Sequence, residues 1–570
     1  MALNKIMEPP ALDKTLARVA SALEVIAGNE GDVQLDAIYA AMLDGTNTTN
    51  IFRQWWPLSN NGTDTKYARL SRFARMMAAA GQDLQYTLRA VDPETGDGTT
   101  AMTPLDDLAG LSAAQLCTDT TTPVADWADE GLIGGWYVRA NALSLADGTM
   151  NVLAVEGVDA TFDLTGDLAP VYTFSPALWL RTWTNGGYMY KSWRLTQAGG
   201  YVPYAGDVAP DNTKRDLTWH PSFPGGYDSN GKLGSGVGQK PYIRKSASAG
   251  NTSAKTLDAY EGLWNDSDAI HVLDMWQLRH FDLENSSILE GCTGFTAQYT
   301  VAAAETGVRR VLLTAAQAAN YFVGCNVSVG THPSGTNTDR GTAANFDIAD
   351  CATITKIESV TVDGNTYSAL YLDVSSDLTV PATAYVSSMP WSAGDTECLP
   401  GHKDGCRGSL TDGKTPIRVM GIEMMHGAYD IGLDPLYDVT NFANQKGDYA
   451  VYECRNSEKL ASSITSDYID TGITYTQMQQ GWNYVKAFAR TTKAILFPAI
   501  VGGSSSKWYK SAFNGPTSAG VRCPWRYAAL SYGAYAGLAC EHGISTPGNA
   551  NWAGRPRLGG AGKKRGEWPA

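Results

Sequence analysis

"RYAALSYGAYAGLACEHGISTPGNANWAGRPRL" occupies Arg526–Leu558, close to the end of the chain. Two kinds of residue alternate in it. Leu530, Gly533, Gly537, Leu538, Gly543, Pro547, Trp552 and Pro556 are punctuation: glycine for unusual dihedrals, proline for rigid turns, tryptophan and leucine as anchors. Between them stand Tyr527, Ser531, Tyr532, Tyr535, Glu541, His542, Ser545, Asn549, Asn551 and Ala553, with no helical or strand period. Tyrosine offers contact area at low entropic cost, while Ser, Gly and Asn adapt their hydrogen bonds. The pattern predicts a compact scaffold whose gap residues lie exposed on one face and bind a ligand. The competing reading is an ordinary loop region that binds nothing.

The rest of the chain frames that stretch. Its 570 residues predict two to four domains. With 59 Gly and 25 Pro, a loop-rich or β-rich protein is favoured over a helical bundle. The formal net charge of −14 argues against a nucleic-acid partner, which requires a basic footprint. Nine cysteines, an odd number with no CxxC pair, indicate buried thiols in a reducing cytoplasm rather than a disulfide framework. Neither a signal peptide nor an apolar run of membrane length is visible, so no membrane insertion is expected.

Leu12, Leu16, Val19, Leu23 and Ile26 follow a heptad seam that stops at Gly28. Residues 1–30 therefore read as an amphipathic helix or a short oligomerising coil. Helical segments such as "KYARLSRFARMMAAAG" continue through an N-terminal α/β region assigned to 31–160, and short strands take over from Trp136. A helix is expected within 256–292 and a second in "YTQMQQGWNYVKAFARTT" (475–492), followed by a buried strand in "AILFPAIVGG". Residues 294–395 read as a separate β unit, with a hairpin turning at Asp363-Gly364.

Several shorter motifs carry less. "LWND" (263–266) contains a tripeptide used by calcium-binding lectins, but the usual partner tripeptide is missing, which favours local capping. "CLPGHKDGC" (398–406) lacks a fourth metal ligand nearby. The glycine-rich 93–102 and 501–508 stretches lack the lysine and spacing of a phosphate loop, and no GxSxG elbow occurs.

The C-terminal residues "GVRCPWRYAALSYGAYAGLACEHG", Pro547 and "NWAGRPRLGGAGKKRGEW" resemble the variable region of target proteins diversified by phage and prophage retroelements. "RVMGIEMMHGAYDIGLDPLYDV" (418–439), "LDMWQLRHFDLENSSILEGC" and "WHPSFPGGYDSNGK" with "YIRKSAS" are similar to conserved blocks of the formylglycine-generating-enzyme-like branch of the C-type lectin fold. The resemblance implies an α+β chain: a C-type lectin-like domain of 161–293 plus 396–570, an inserted β domain at 294–395, and a smaller N-terminal helical/β region for tail attachment or oligomerisation.

It further implies a phage tail-tip receptor-binding protein. Such a protein is made in the host cytoplasm, assembles as a homotrimer with tail or baseplate proteins, and binds a bacterial surface receptor, protein or glycan, with no cofactor or metal. The gap residues become the hypervariable ligand surface of about 520–558. Met425-His426 and Tyr429-Asp430 depart from the family pattern, and "GGSSSKWYKSAF" (502–513) lacks its reactive cysteines, so the oxidase activity does not carry over. A bacterial diversified binding protein and a tail glycosidase stand as alternatives.

Overall fold

A computed structural model describes residues 84–567, except 95, 97, 123, 125–126, 128–131, 136, 157–158, 332–339, 401–402, 490–494 and 561. The heptad seam at 12–26 and the helical segments before residue 84 lie outside the described residues. What is described is mostly β-sheet with few helices. Among these residues no helix is long and apolar enough to cross a membrane.

Strands Gln85–Val91 and Tyr188–Arg194 are central neighbours in a five-stranded antiparallel sheet, paired from Gln85↔Arg194 to Val91↔Tyr188. Strand Val138–Ser144 pairs with Val171–Pro176 in a second sheet. The boundary expected near 160 therefore does not divide the sheets: strands from both sides of it are hydrogen-bonded together. The turn-rich stretch that marks it is a loop within the fold, closed by Asp163, whose carboxylate accepts the backbone N–H groups of Thr165, Asp167 and Leu168.

Residues 298–389 build a six-stranded sheet of their own, spanning Gln298–Thr300 to Tyr385–Met389. Its longest hairpin closes with Val362 opposite Asn365. Asp363 (φ 48°) and Gly364 (φ 77°) are both left-handed, as a two-residue hairpin turn requires.

Helix Asp266–His280 is buried on nearly every face. Asn265 caps it: its side chain accepts the Asp268 N–H, and the Asp268 carboxylate accepts the Asn265 N–H (3.2 and 3.1 Å). That is the role of the "LWND" tripeptide here. The second expected helix is instead two successive strands in different sheets: Tyr468–Gln479 pairs with Lys446–Cys454, and Gly481–Phe488 pairs with Pro498–Val501 and Ala512–Gly515. Gln477 (φ 60°) and Gly481 (φ 86°) interrupt any helix there. From Trp482 the residues alternate, with Val485 and Ala487 buried while Trp482, Tyr484 and Lys486 are half-buried. The following segment buries Ile495, Leu496 and Phe497 but forms only a short edge strand, Pro498–Val501. All nine cysteines are free, and all but Cys398 are buried.

Candidate functional site: a charged floor beneath an aromatic face

The terminal stretch joins a mixed seven-stranded sheet. Its strands run in the order Pro498–Val501, Gly481–Phe488, Ala512–Gly515, Glu541–His542, Trp525–Arg526, Tyr429–Ile431 and Gly554–Pro556. Two of the pairings are parallel: Asn514 beside His542, and Asp430 beside Arg555. Residues opposite one another across a sheet share a face, and neighbours along a strand take opposite faces. Phe513, Glu541, Arg526, Asp430 and Arg555 thus form one row, and all five are buried. Trp482, Asn514 and His542 form a row on the other face.

The inner row is a floor of paired charge. Arg526 holds Asp266 through its Nε at 2.9 Å and donates to the Leu496 carbonyl at 3.0 Å. Its Nη1 lies 2.6 Å from Glu541, an ion pair without hydrogen-bond alignment. Arg557 binds Asp430 at 2.9 Å and the Pro221 carbonyl at 2.9 Å, with the Trp264 ring 4.2 Å beneath it. Arg555 reaches the Trp391 carbonyl (2.9 Å) and His426 (3.1 Å), and His426 also meets Asp430 at 2.9 Å. Farther on, Lys563 pairs with Glu261 (2.6 Å) and Arg565 with Asp434 and Glu453.

Burying a charge is costly unless it is paired and hydrogen-bonded, so these partners fix the geometry of the terminal segment. Burial pushes the Asp430 carboxyl up, but Arg557 and His426 outweigh it and hold it below the usual range. Burial pushes the Glu541 carboxyl up, with Arg526 offsetting only part.

The outer face carries aromatic rings. Trp482 stacks on Tyr535 with centroids 5.1 Å apart and ring planes within 6°. Tyr532 lies 5.3 Å from Trp482 and 5.5 Å from Tyr429. His542 sits 5.9 Å from Trp482, and Tyr484 sits 5.5 Å from Tyr535. The loop bearing Ser531, Tyr532 and Tyr535 is clamped by its backbone: the Leu530 N–H donates to the Gly427 carbonyl and the Gly533 N–H to the Thr293 carbonyl. Gly537 (φ 148°) closes it against Ser511, whose Oγ would lie 2.1 Å from an added Cβ. Its backbone is thus held at positions that leave the side chains free to change. Burial pushes His542 down to about 4, so it is neutral at pH 7 and bonds the Ser545 hydroxyl at 3.2 Å.

Of the ten expected surface positions, Tyr535, Asn549 and Asn551 are exposed, and Ser531, Tyr532 and His542 are half-buried. The other four are buried. Tyr527 has φ 78°, and its hydroxyl accepts the Trp264 indole N–H at 3.1 Å. Glu541 points into the charged floor. The Ser545 carbonyl accepts the Cys523 N–H, and the Ala553 carbonyl accepts the Tyr429 N–H. The structure gathers Tyr532, Tyr535 and His542, with Ser531 beside them, into the aromatic face. It does not bring Asn549 and Asn551 there. They flank the 244–248 segment, where the Asn551 carbonyl accepts the Arg244 N–H at 2.9 Å.

Trp482 and Tyr484 belong to the face and were missed in the sequence because their segment was read with a helical period. The strand period, two residues apart, is the signal that places them together. Asn514, in the same row as Trp482, was missed with them.

No family model matches the chain, and no curated protein matches it.

Proposed function

We propose that the chain is a non-catalytic receptor-binding adhesin of a phage or prophage tail, with a C-type-lectin-like domain diversified by a retroelement. The recognition surface is the aromatic face of Ser531, Tyr532, Tyr535 and His542, with Trp482 and Tyr484 as its constant part. Asn549 and Asn551 extend the diversified positions along the 244–248 edge. The chain works as a trimer attached to tail proteins and adheres to a receptor on the bacterial surface.

The observation that carries this reading is the division of the terminal stretch. Tyr532 and Tyr535 sit on a loop held by backbone bonds, above a floor of buried charge in which Arg526 and Arg557 are ion-paired and Arg555 is held by the Trp391 carbonyl and His426. A surface can change its side chains only if its fold does not depend on them, and here the fold depends on the floor. Tyr and Trp are also the residues that dominate interface energetics.

The test is the DNA flanking the gene. A near-copy of the segment encoding 520–558, next to a reverse-transcriptase gene and differing at template adenines, is the expected finding. Mismatches spread evenly over the four bases, or no second copy, overturn the retroelement reading.

A further inference from the structure

Far from this face along the chain, the five-stranded sheet presents a row in which Arg89, Tyr190 and Trp183 lie opposite one another on neighbouring strands. Arg181 and Tyr188 continue the same face two residues along their strands. Trp183 and Tyr190 stack with centroids 4.9 Å apart and planes within 3°. The Arg181 guanidinium lies 4.8 Å over Trp183, and that of Arg89 lies 4.5 Å over Tyr188.

Among the described residues these two are the arginines with neither a hydrogen bond nor an ion pair, although acids outnumber bases 58 to 44 in the chain. The Arg89 Nε is buried with no partner.

The aromatic contacts engage each guanidinium without using its N–H donors, and the terminal N–H groups match a carboxylate or phosphate. By strand spacing and rise, the two arginines have Cα atoms about 12 Å apart, with ring edges between them.

We propose that this face is a second binding site, and that it takes an acidic oligosaccharide bearing carboxylates on separate sugar units. A nucleic-acid strand is disfavoured because the chain has a net charge of −14 and, among the described residues, this face offers two arginines rather than the basic track a phosphate backbone needs. Peptide addition to a sheet edge is disfavoured because Arg89, Tyr190 and Trp183 stand on internal strands of the sheet. The site is independent of the aromatic face, so either one stands or falls without the other.

The experiment titrates the full chain with tetragalacturonate by calorimetry, with maltotetraose and a thymidine oligonucleotide as comparison probes. The expected result is binding of the uronate alone, weakening as salt is raised. Arg89→Gln and Arg181→Gln should each weaken it by about tenfold, with unchanged melting. Arg181→Lys, which keeps the charge and loses the guanidinium, should fall between. The proposal is overturned if tetragalacturonate binds no better than maltotetraose, if the double Gln variant binds like the wild type, or if the oligonucleotide binds more tightly than the uronate.

Discussion

Replacing Arg526 by Met tests the charged floor. Arg526 is fully buried between Asp266 and Glu541, and its Nη2 also donates to the Leu496 carbonyl. Removing it leaves two buried carboxylates without their cation. Breaking a buried ion pair in this way costs about 3–5 kcal/mol, which lowers the melting temperature of a domain of this size by roughly 6–20 °C. Glu541→Gln should behave differently. It removes one of two acids competing for one arginine and leaves the Arg526–Asp266 contact, so its cost should stay within about 1–2 kcal/mol.

The two variants also separate by pH. The Glu541 carboxyl is raised by burial, so the folded state binds its proton more tightly than the unfolded state does. Stability from this group is therefore full below its unfolded pKa of about 4.3 and is lost as pH rises through the folded value. Melting curves from pH 4 to pH 8 should show the wild type losing stability relative to Glu541→Gln as pH rises. Arg526→Met melting with the wild type, or Glu541→Gln doing as much damage as Arg526→Met, refutes the reasoning.

Other outcomes follow from single residues. Tyr527→Ala should destabilise by about 3–5 kcal/mol, because the ring is buried against Trp264, and should melt early whether or not a ligand is present. Trp552→Ala should cost about as much, as its ring is buried beneath the Arg340 guanidinium at 5.2 Å. Asn549→Ala, at an exposed position, should shift stability by no more than about 0.5 kcal/mol. His542 is pushed down to about 4 in the fold, so the wild type should lose stability as pH falls from about 6.5 toward 4. His542→Gln should flatten that slope in melting curves. Light scattering at micromolar concentration should give the mass of a trimer.

Local signals survived into the structure where a few adjacent residues decide the outcome. Asp363-Gly364 makes its hairpin turn because both residues tolerate positive φ, and Asn265 caps its helix because a capping box needs only four positions. The two strands within 468–488 carry a misleading signal, because Met478, Trp482, Val485 and Phe488 mimic a helical period. Gln477 and Gly481 supply the break, and the true partners, Asn514 and Val501, lie far along the chain.

The candidate face divides the same way. Tyr535 and Asn549 read correctly as exposed, since turn and loop chemistry keeps them there. Glu541 and His542 are neighbours with identical local context. Only the parallel pairing with Phe513 and Asn514 decides which one turns inward. Nor does any local pattern reveal that Arg526 meets an acid 260 residues away.

Adsorption to host bacteria, measured beside a melting curve, tests the central claim most directly. Trp482→Ala and Tyr535→Ala each remove one partner of the stacked pair on the proposed recognition face. Truncating an aromatic hot spot costs about 1–3 kcal/mol of binding, roughly 5- to 150-fold in affinity per site. Both variants should adsorb more weakly by that order while melting within a few degrees of the wild type. Full adsorption by both, or adsorption lost only in step with unfolding, would contradict the assignment of this face to receptor binding.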